Sequence, residues 1–317
     1  MSGNTALGTM FGAAPVDTFL GLPRIRDLAR TTAQMVLIGA DGCTPYPSVG
    51  FYCAGGPAAI RAAGAAYAAN LSHMNFDLGG PVFPSGVSAV DAGDLPQDDS
   101  DAPGNRARIF GAVGQILDRG AVPILIGGDD SLPIPMLEAY AARRRSFTIL
   151  QIDAHIDWRD EVGGERLGLS STMRRASEMA HVDRIIQVGQ RGIGSARMQD
   201  VADAEAWGVH FVPAGEVARS GLGRAIDLVP PEAEVIICLD LDALDPAVMP
   251  AVIGRTAGGL GYWHVLELIA GVAEKARIAG FDMVEFMPAR DVDGQGAAVA
   301  AQLLAAVMGI IARQGGR

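Results

Sequence analysis

The stretch Phe147-Thr148-Ile149-Leu150-Gln151-Ile152-Asp153-Ala154-His155-Ile156-Asp157 decides how this chain reads. Its first six residues are mostly β-branched or aliphatic and suit a buried strand. If the strand continued, residues 153, 155 and 157 would face one way, so its end would deliver carboxylate, imidazole and carboxylate to one point. Two further runs end alike. Val122-Pro123-Ile124-Leu125-Ile126 leads into Gly127-Gly128-Asp129-Asp130-Ser131, and Val235-Ile236-Ile237-Cys238-Leu239 leads into Asp240-Leu241-Asp242-Ala243-Leu244-Asp245-Pro246, where the proline turns the chain away. In an open parallel sheet the carboxyl ends of neighbouring strands converge on one crevice, and ligands bind there. Carboxylates gathered in such a place stay ionised only beside a positive charge, most simply one or two divalent metal ions. Asp153, Asp157, Asp240 and Asp242 with His155 suit Mn2+ or a related ion better than Zn2+, since no cysteine joins them. Taken singly, Asp-x-His-x-Asp also fits a salt-bridged strand end or a helix cap, and Asp-x-Asp-x-x-Asp-Pro a turn. Their joint presence at strand ends favours a metal site.

Working outward, strands alternate with helices. Met35-Val36-Leu37-Ile38-Gly39 reads as a strand, followed by a Gly-, Pro-, Ser- and Tyr-rich loop through Tyr52 and an alanine-rich helix over 57–69 with Pro57 at its start. Residues 76–104 read as loops around a short strand. Helices over 106–119 and 132–144 precede the strands at 122–126 and 147–152, and strands near 184–188 and 209–212 flank a helix at 196–206. A helix over 262–279, a strand at 283–286 and an apolar closing helix over 297–312 complete the pattern. The alternation predicts βαβ units, hence an α/β protein of three layers, α/β/α, with a doubly wound, mostly parallel sheet. No repeat, low-complexity tract or linker divides it. Residues 1–30 read as an N-terminal arm packing on the body or on a neighbour, and 31–317 as one domain.

Composition narrows the function classes. With 317 residues, 49% of them hydrophobic, the chain can bury a large core. A net charge of −11 without a basic stripe argues against nucleic acid. Cys43, Cys53 and Cys238 are odd in number and cannot all pair, which fits a reducing cytoplasm. Residues 1–20 lack the pattern of a signal peptide. The closing apolar stretch is shorter than the roughly 20 residues of a membrane span and reads as a core helix. The expectation is a cytoplasmic protein with no membrane and no nucleic-acid partner.

The three clusters together resemble those of the ureohydrolase family, the arginases, agmatinases and related amidinohydrolases. That family carries Gly-Gly-Asp-His-Ser, Asp-Ala-His-x-Asp and Asp-x-Asp-x-x-Asp-Pro around two Mn2+ ions, or Ni2+ in some guanidine hydrolases. Gly56-Pro57-Ala58-Ala59-Ile60-Arg61, Gly258-Gly259-Leu260 and Asp282-Met283-Val284-Glu285-Phe286-Met287-Pro288 are similar as well, so the likeness runs from about residue 35 to the C-terminus. The loop Thr44-Pro45-Tyr46-Pro47-Ser48-Val49-Gly50 looks most like the branch acting on small guanidines or biguanides, metformin hydrolase-like chains among them. The resemblance implies an arginase-like fold, assembly into trimers or hexamers, and hydrolysis of a guanidine-type C–N bond to urea, or a substituted urea, and an amine. It implies that Asp153 and Asp240 bridge two metal ions, that His155 and Asp242 complete the shell of one, and that Asp157 serves the other. Asp157 would also orient the water-derived nucleophile, and Glu285 would hold the substrate's cationic nitrogens.

Two departures bear on activity. Asp130 stands where the family has a histidine ligand, and it remains a candidate ligand because carboxylate oxygens also coordinate. Five carboxylates would then carry about −5 against +4 from two divalent ions, whereas the family's set balances to about zero. The segment Leu167-Gly168-Leu169-Ser170-Ser171-Thr172-Met173-Arg174-Arg175 also lacks the proton-shuttling histidine of many relatives. His181, expected on a following helix, and His210 and His264 read as packing or surface residues. Two expectations stand side by side. One is an amidinohydrolase with two Mn2+ or Ni2+ ions, or with one or none if Asp130 fails to coordinate. The other is a catalytically degenerate structural subunit that stabilises an active paralogue in a hetero-oligomer.

Overall fold

Each apolar run becomes a parallel strand because its alternate residues can be buried on two faces at once. The computed structural model describes residues 16–143, 145–194 and 196–314. Its strands are β1 (Met35–Gly39), β2 (Ala89–Asp94), β3 (Val122–Ile126), β4 (Phe147–Ile152), β5 (Val182–Val188), β6 (His210–Val212), β7 (Glu234–Asp240) and β8 (Arg277–Val284). They form one sheet in the order β2-β1-β3-β8-β7-β4-β5-β6, and every pairing is parallel. Successive residues serve opposite cores. On β4, Ile149 packs with the helices Ala102–Asp118 and Pro133–Ala141, while Leu150 and Ile152 pack with Tyr262–Lys275 and Gln295–Ala312. The result is the expected three-layer, doubly wound α/β/α architecture. Gln295–Ala312 is long and apolar enough to cross a membrane, but it lies mostly buried against Gly56–Ala65 and Tyr262–Lys275.

Several boundaries move for identifiable reasons. The helix expected from 106 begins at Ala102, because the Asp101 carboxylate caps it by accepting from Gly104 N at 2.9 Å. The helix expected over 262–279 stops at Lys275, and the chain turns at once into β8. The Ala-rich pattern there suits a helix locally, but pairing with β7 from Arg277 to Val284, joined by β3 over Phe281 to Met283, satisfies the backbone as a strand. At Gly280 an added Cβ would lie 2.1 Å from the Tyr140 hydroxyl, so the strand sits where no side chain fits. The strand expected at 283–286 is therefore the last part of β8, with Glu285 just beyond it. His181 lies in the turn entering β5 rather than on a helix. Thr172–Ser177, Ala214–Ser220 and Gly223–Leu228 are helices too short to show a period in the sequence.

Of the N-terminal arm, residues 1–15 lie outside the described residues. The rest packs on the body, with Phe19 and Leu20 buried beside Gly64, where a Cβ would meet the Phe19 ring at 2.7 Å. A buried ion pair secures this corner. Arg61 donates to both oxygens of the fully buried Asp91, at 2.8 and 3.1 Å, and also to Asp94. Backbone N–H groups of Phe19 and Gly93 donate to Asp91 as well, each at 2.8 Å. Removing the cation alone leaves a buried carboxylate uncompensated. Arg61→Met should therefore lower unfolding free energy in urea by about 3–5 kcal/mol, far more than an exposed arginine would.

Candidate metal centre

Four adjacent strands, β3, β8, β7 and β4, end at one cleft. From β3 the chain turns through Gly127 and Gly128, at φ +95° and +67°. An added Cβ would sit 2.2 Å from Pro57 and 2.4 Å from Leu132, so both positive φ and close packing require glycine. The turn brings Asp130 over the sheet edge, where its N–H donates to Glu285 Oε1 at 3.0 Å. Among the described residues, two sets of possible metal donors each converge within 4.8 Å, namely Asp153, His155 and Asp242, and Asp130, Asp153 and Asp157. Asp153 belongs to both. Asp240 lines the same cleft outside these two sets, with Oδ1 accepting from Asp242 N at 2.7 Å. All six candidate ligands thus meet in one place, and Glu285 joins them on a cleft of 250 Å³.

The surrounding chain holds these groups stiffly. Asp157 and Glu285 both sit at positive φ, +44° and +69°. Such conformations cost about 1–3 kcal/mol each for residues other than glycine and persist only when the surroundings impose them. Arg191 donates to the carbonyls of Asp242 at 2.7 Å and of Ala243 and Leu244 at 3.1 Å, fixing the loop after β7. Asp245, last in its motif, accepts from Ala247, Gly258 and Gly259 N–H groups and acts as a loop brace. Thr172 donates to the Asp130 carbonyl.

Electrostatically the cleft suits a cation. Burial, and then repulsion among the carboxylates, pushes Asp130, Asp157, Asp240 and Asp242 above the ordinary carboxylate range. Burial also works against ionising Asp153, but hydrogen bonding and charge from His155 outweigh it and hold Asp153 low. Burial opposes a charge on His155 too, yet Asp153 and Asp242, at 3.3 and 3.1 Å from Nδ1, raise it to about 12. Asp130 Oδ2 and Glu285 Oε2 are buried without a hydrogen-bond partner. Convergent oxygens, one imidazole nitrogen and unanswered buried lone pairs fit divalent ions of the Mn2+ type. In that role Asp130, Asp153, His155, Asp157, Asp240 and Asp242 would be the holding residues.

Sequence reasoning passed over several residues here. Tyr52 lines the cleft and donates to Glu285 Oε1 at 2.5 Å. Arg159 and Asp200, 3.4 Å apart, stand on its wall, as do Leu169 and Ser170 from the segment without histidine. None carries a motif of its own; only the folding of distant loops brings them together. His210 contacts Arg184 and His264 Nδ1 accepts from Gly261 N, both away from the cleft as expected.

A fully parallel α/β sheet with a carboxylate-rich centre at its carboxyl edge defines the class of protein. The particular family follows from comparison, since the arginase family matches residues 34–309 and the chain belongs to it. It is 30% identical to the mitochondrial agmatinase of Gallus gallus, over 93% of this chain and 86% of that protein. Among solved structures it is similar to proclavaminate amidinohydrolase of Streptomyces clavuligerus, with TM-score 0.83, 28% identity and coverage of 95% of this chain and 99% of that one. Formiminoglutamase of Trypanosoma cruzi, solved with Mn2+, shares the fold at TM-score 0.75 and 20% identity, over 90% of this chain and 97% of that one.

The raised groups make stability depend on pH. Burial lifts Asp129 to about 6 and Asp282 to about 7, and burial followed by the Asp129 charge lifts Glu285 to about 8. A group raised on folding holds more protons folded than unfolded. Its contribution is complete below the unfolded pKa and disappears as pH climbs through the folded value. The carboxyls act from about pH 4 to 8, and His155 acts in the same direction above 6.5. In EDTA the melting temperature should fall steadily between about pH 5.5 and 8.5. Added Mn2+ should raise it more at the alkaline end, as circular dichroism melts would record.

Proposed function

We propose that this chain is a divalent-metal amidinohydrolase that cleaves a guanidine-type C–N bond, releasing urea or a substituted urea and an amine. The observation that carries the reading is the pair of donor sets sharing Asp153. Mn2+ or Ni2+ bound there would lower the pKa of water and supply Lewis acidity. Asp157 would orient the attacking water through a hydrogen bond. Glu285 Oε1 is already occupied by Tyr52 and by the Asp130 N–H, so Oε2 is the oxygen left to accept from a guanidinium N–H. The names of the relatives, agmatinase and amidinohydrolase, support a guanidino substrate. Arg159 already faces Asp200, which supports a small guanidine or biguanide without a carboxylate. We place the chain in a homo- or hetero-oligomer.

A second reading, a structural subunit supporting an active paralogue, is favoured by the fifth carboxylate at Asp130. It is favoured too by Leu169 and Ser170 lining the cleft where a proton carrier would serve the leaving amine. One experiment separates the two. The chain purified alone is loaded with Mn2+ or Ni2+, its metal counted by elemental mass spectrometry, and urea release followed with agmatine, guanidine and biguanides. The enzyme reading expects two ions per chain and turnover that Asp157→Asn lowers by about 10²–10⁴-fold. One ion or none, with no urea, would overturn it. Asp157→Asn would then leave the activity of a heteromeric complex unchanged.

A further inference from the structure

Beneath the carboxylates runs a buried polar row to which the reaction assigns no part. Gln187, Gln151, Cys238 and Asp282 stand opposite one another on β5, β4, β7 and β8 and point to the same face of the sheet. None of the four is more than 1% exposed. Gln151 Nε2 donates to Asp153 Oδ2 at 2.7 Å and to Asp157 Oδ2 at 2.6 Å. A primary amide can present either of its ends, and Gln187 determines which. The Gln187 amide nitrogen donates to Gln151 Oε1 and, at 2.9 Å, to the carbonyl of Ile156. The Ile156 carbonyl can only accept, which fixes the nitrogen end of Gln187 toward it and toward Gln151. Gln151 Oε1 therefore faces a donor, and both of its N–H bonds are left for the two carboxylates.

We propose that Gln187 and Gln151 form an amide relay that positions Asp153 and Asp157 to receive a divalent cation. The inference rests on the reading of this cluster as a metal centre. Three physical consequences follow from the geometry. A neutral donor shared between two carboxylates eases their repulsion without adding a charge that would compete with the metal. It occupies one oxygen of each, which restrains the rotation of both carboxylates. By also holding the Ile156 carbonyl, Gln187 braces the peptide that precedes Asp157 at its positive φ. Both glutamines are positioning residues, since each acts through the carboxylates.

The test is Mn2+ binding by the full chain, stripped with EDTA and titrated by calorimetry, for the unaltered protein, Gln151→Met and Gln187→Met. Methionine keeps the volume and removes the amide. Melting in EDTA serves as the control for folding. Gln151→Met should bind Mn2+ about 10–100-fold more weakly, the usual cost of losing a partner behind a metal ligand. Gln187→Met should show a smaller loss of the same kind. It touches neither carboxylate, so it carries the test should Gln151→Met fail to fold. Affinity within twofold of the unaltered chain in a folded variant overturns the relay, even if its melting temperature drops, because that pattern marks a purely structural role. If the unaltered chain takes up no Mn2+, the metal reading itself fails and the relay falls with it.

Discussion

The structure turns on confining Asp130, Asp153, Asp157, Asp240 and Asp242 in one buried cleft with a single imidazole among them. Like charges at such separations raise one another's pKa, and burial removes the water that would screen them. The chain supplies partial answers. Backbone N–H groups of Ala154, His155 and Asp242 point at the carboxylates, at 3.2, 2.6 and 2.7 Å, and Gln151 lends its amide to two of them. These donors are dipoles, and dipoles do not cancel net charge. A divalent cation does, which is why the arrangement reads as a metal centre rather than a salt-bridged strand end.

Holding such a cluster together requires a support that does not yield. β3, β8, β7 and β4 are covered by helices on both faces, so their ends are fixed by two cores at once. The loops leaving them are secured separately: glycines at 127 and 128, Arg191 on the carbonyls after β7, Asp245 on the loop through Gly258 and Gly259. The strained backbone at Asp157 and Glu285 is tolerable only on a frame this rigid.

Asp130 is where the chain departs most from its family resemblance, and its surroundings give the departure meaning. Its N–H occupies one oxygen of Glu285 and its carbonyl accepts from Thr172, so the backbone is tied whatever side chain it carries. The side chain is left with an unpartnered oxygen beside Asp153 and Asp157. A carboxylate there keeps the coordinating capacity of the position and adds a negative charge. That added charge joins a cluster in which burial and neighbouring carboxylates already hold Asp130 above the ordinary carboxylate range.

Much of the protein was readable along the chain. Runs of β-branched and aliphatic residues ending in Asp-rich clusters located β3, β4 and β7 because strand periodicity and turn chemistry are local. Their spacing singled out, for the same reason, the carboxylates that the structure gathers in one cleft. What only the tertiary structure decided was anything resting on a neighbour in space. The helix pattern over 276–279 gave way to β8 because β7 lies alongside to pair with its backbone from Arg277 onward. Tyr52 reached Glu285 across 233 positions of sequence, and Gln187 met Gln151 only through the register of β5 on β4. A glutamine inside an apolar run carries no signal of its own. Its function exists once two strands lie side by side, since the hydrogen bonds that orient it belong to the pairing and not to the segment.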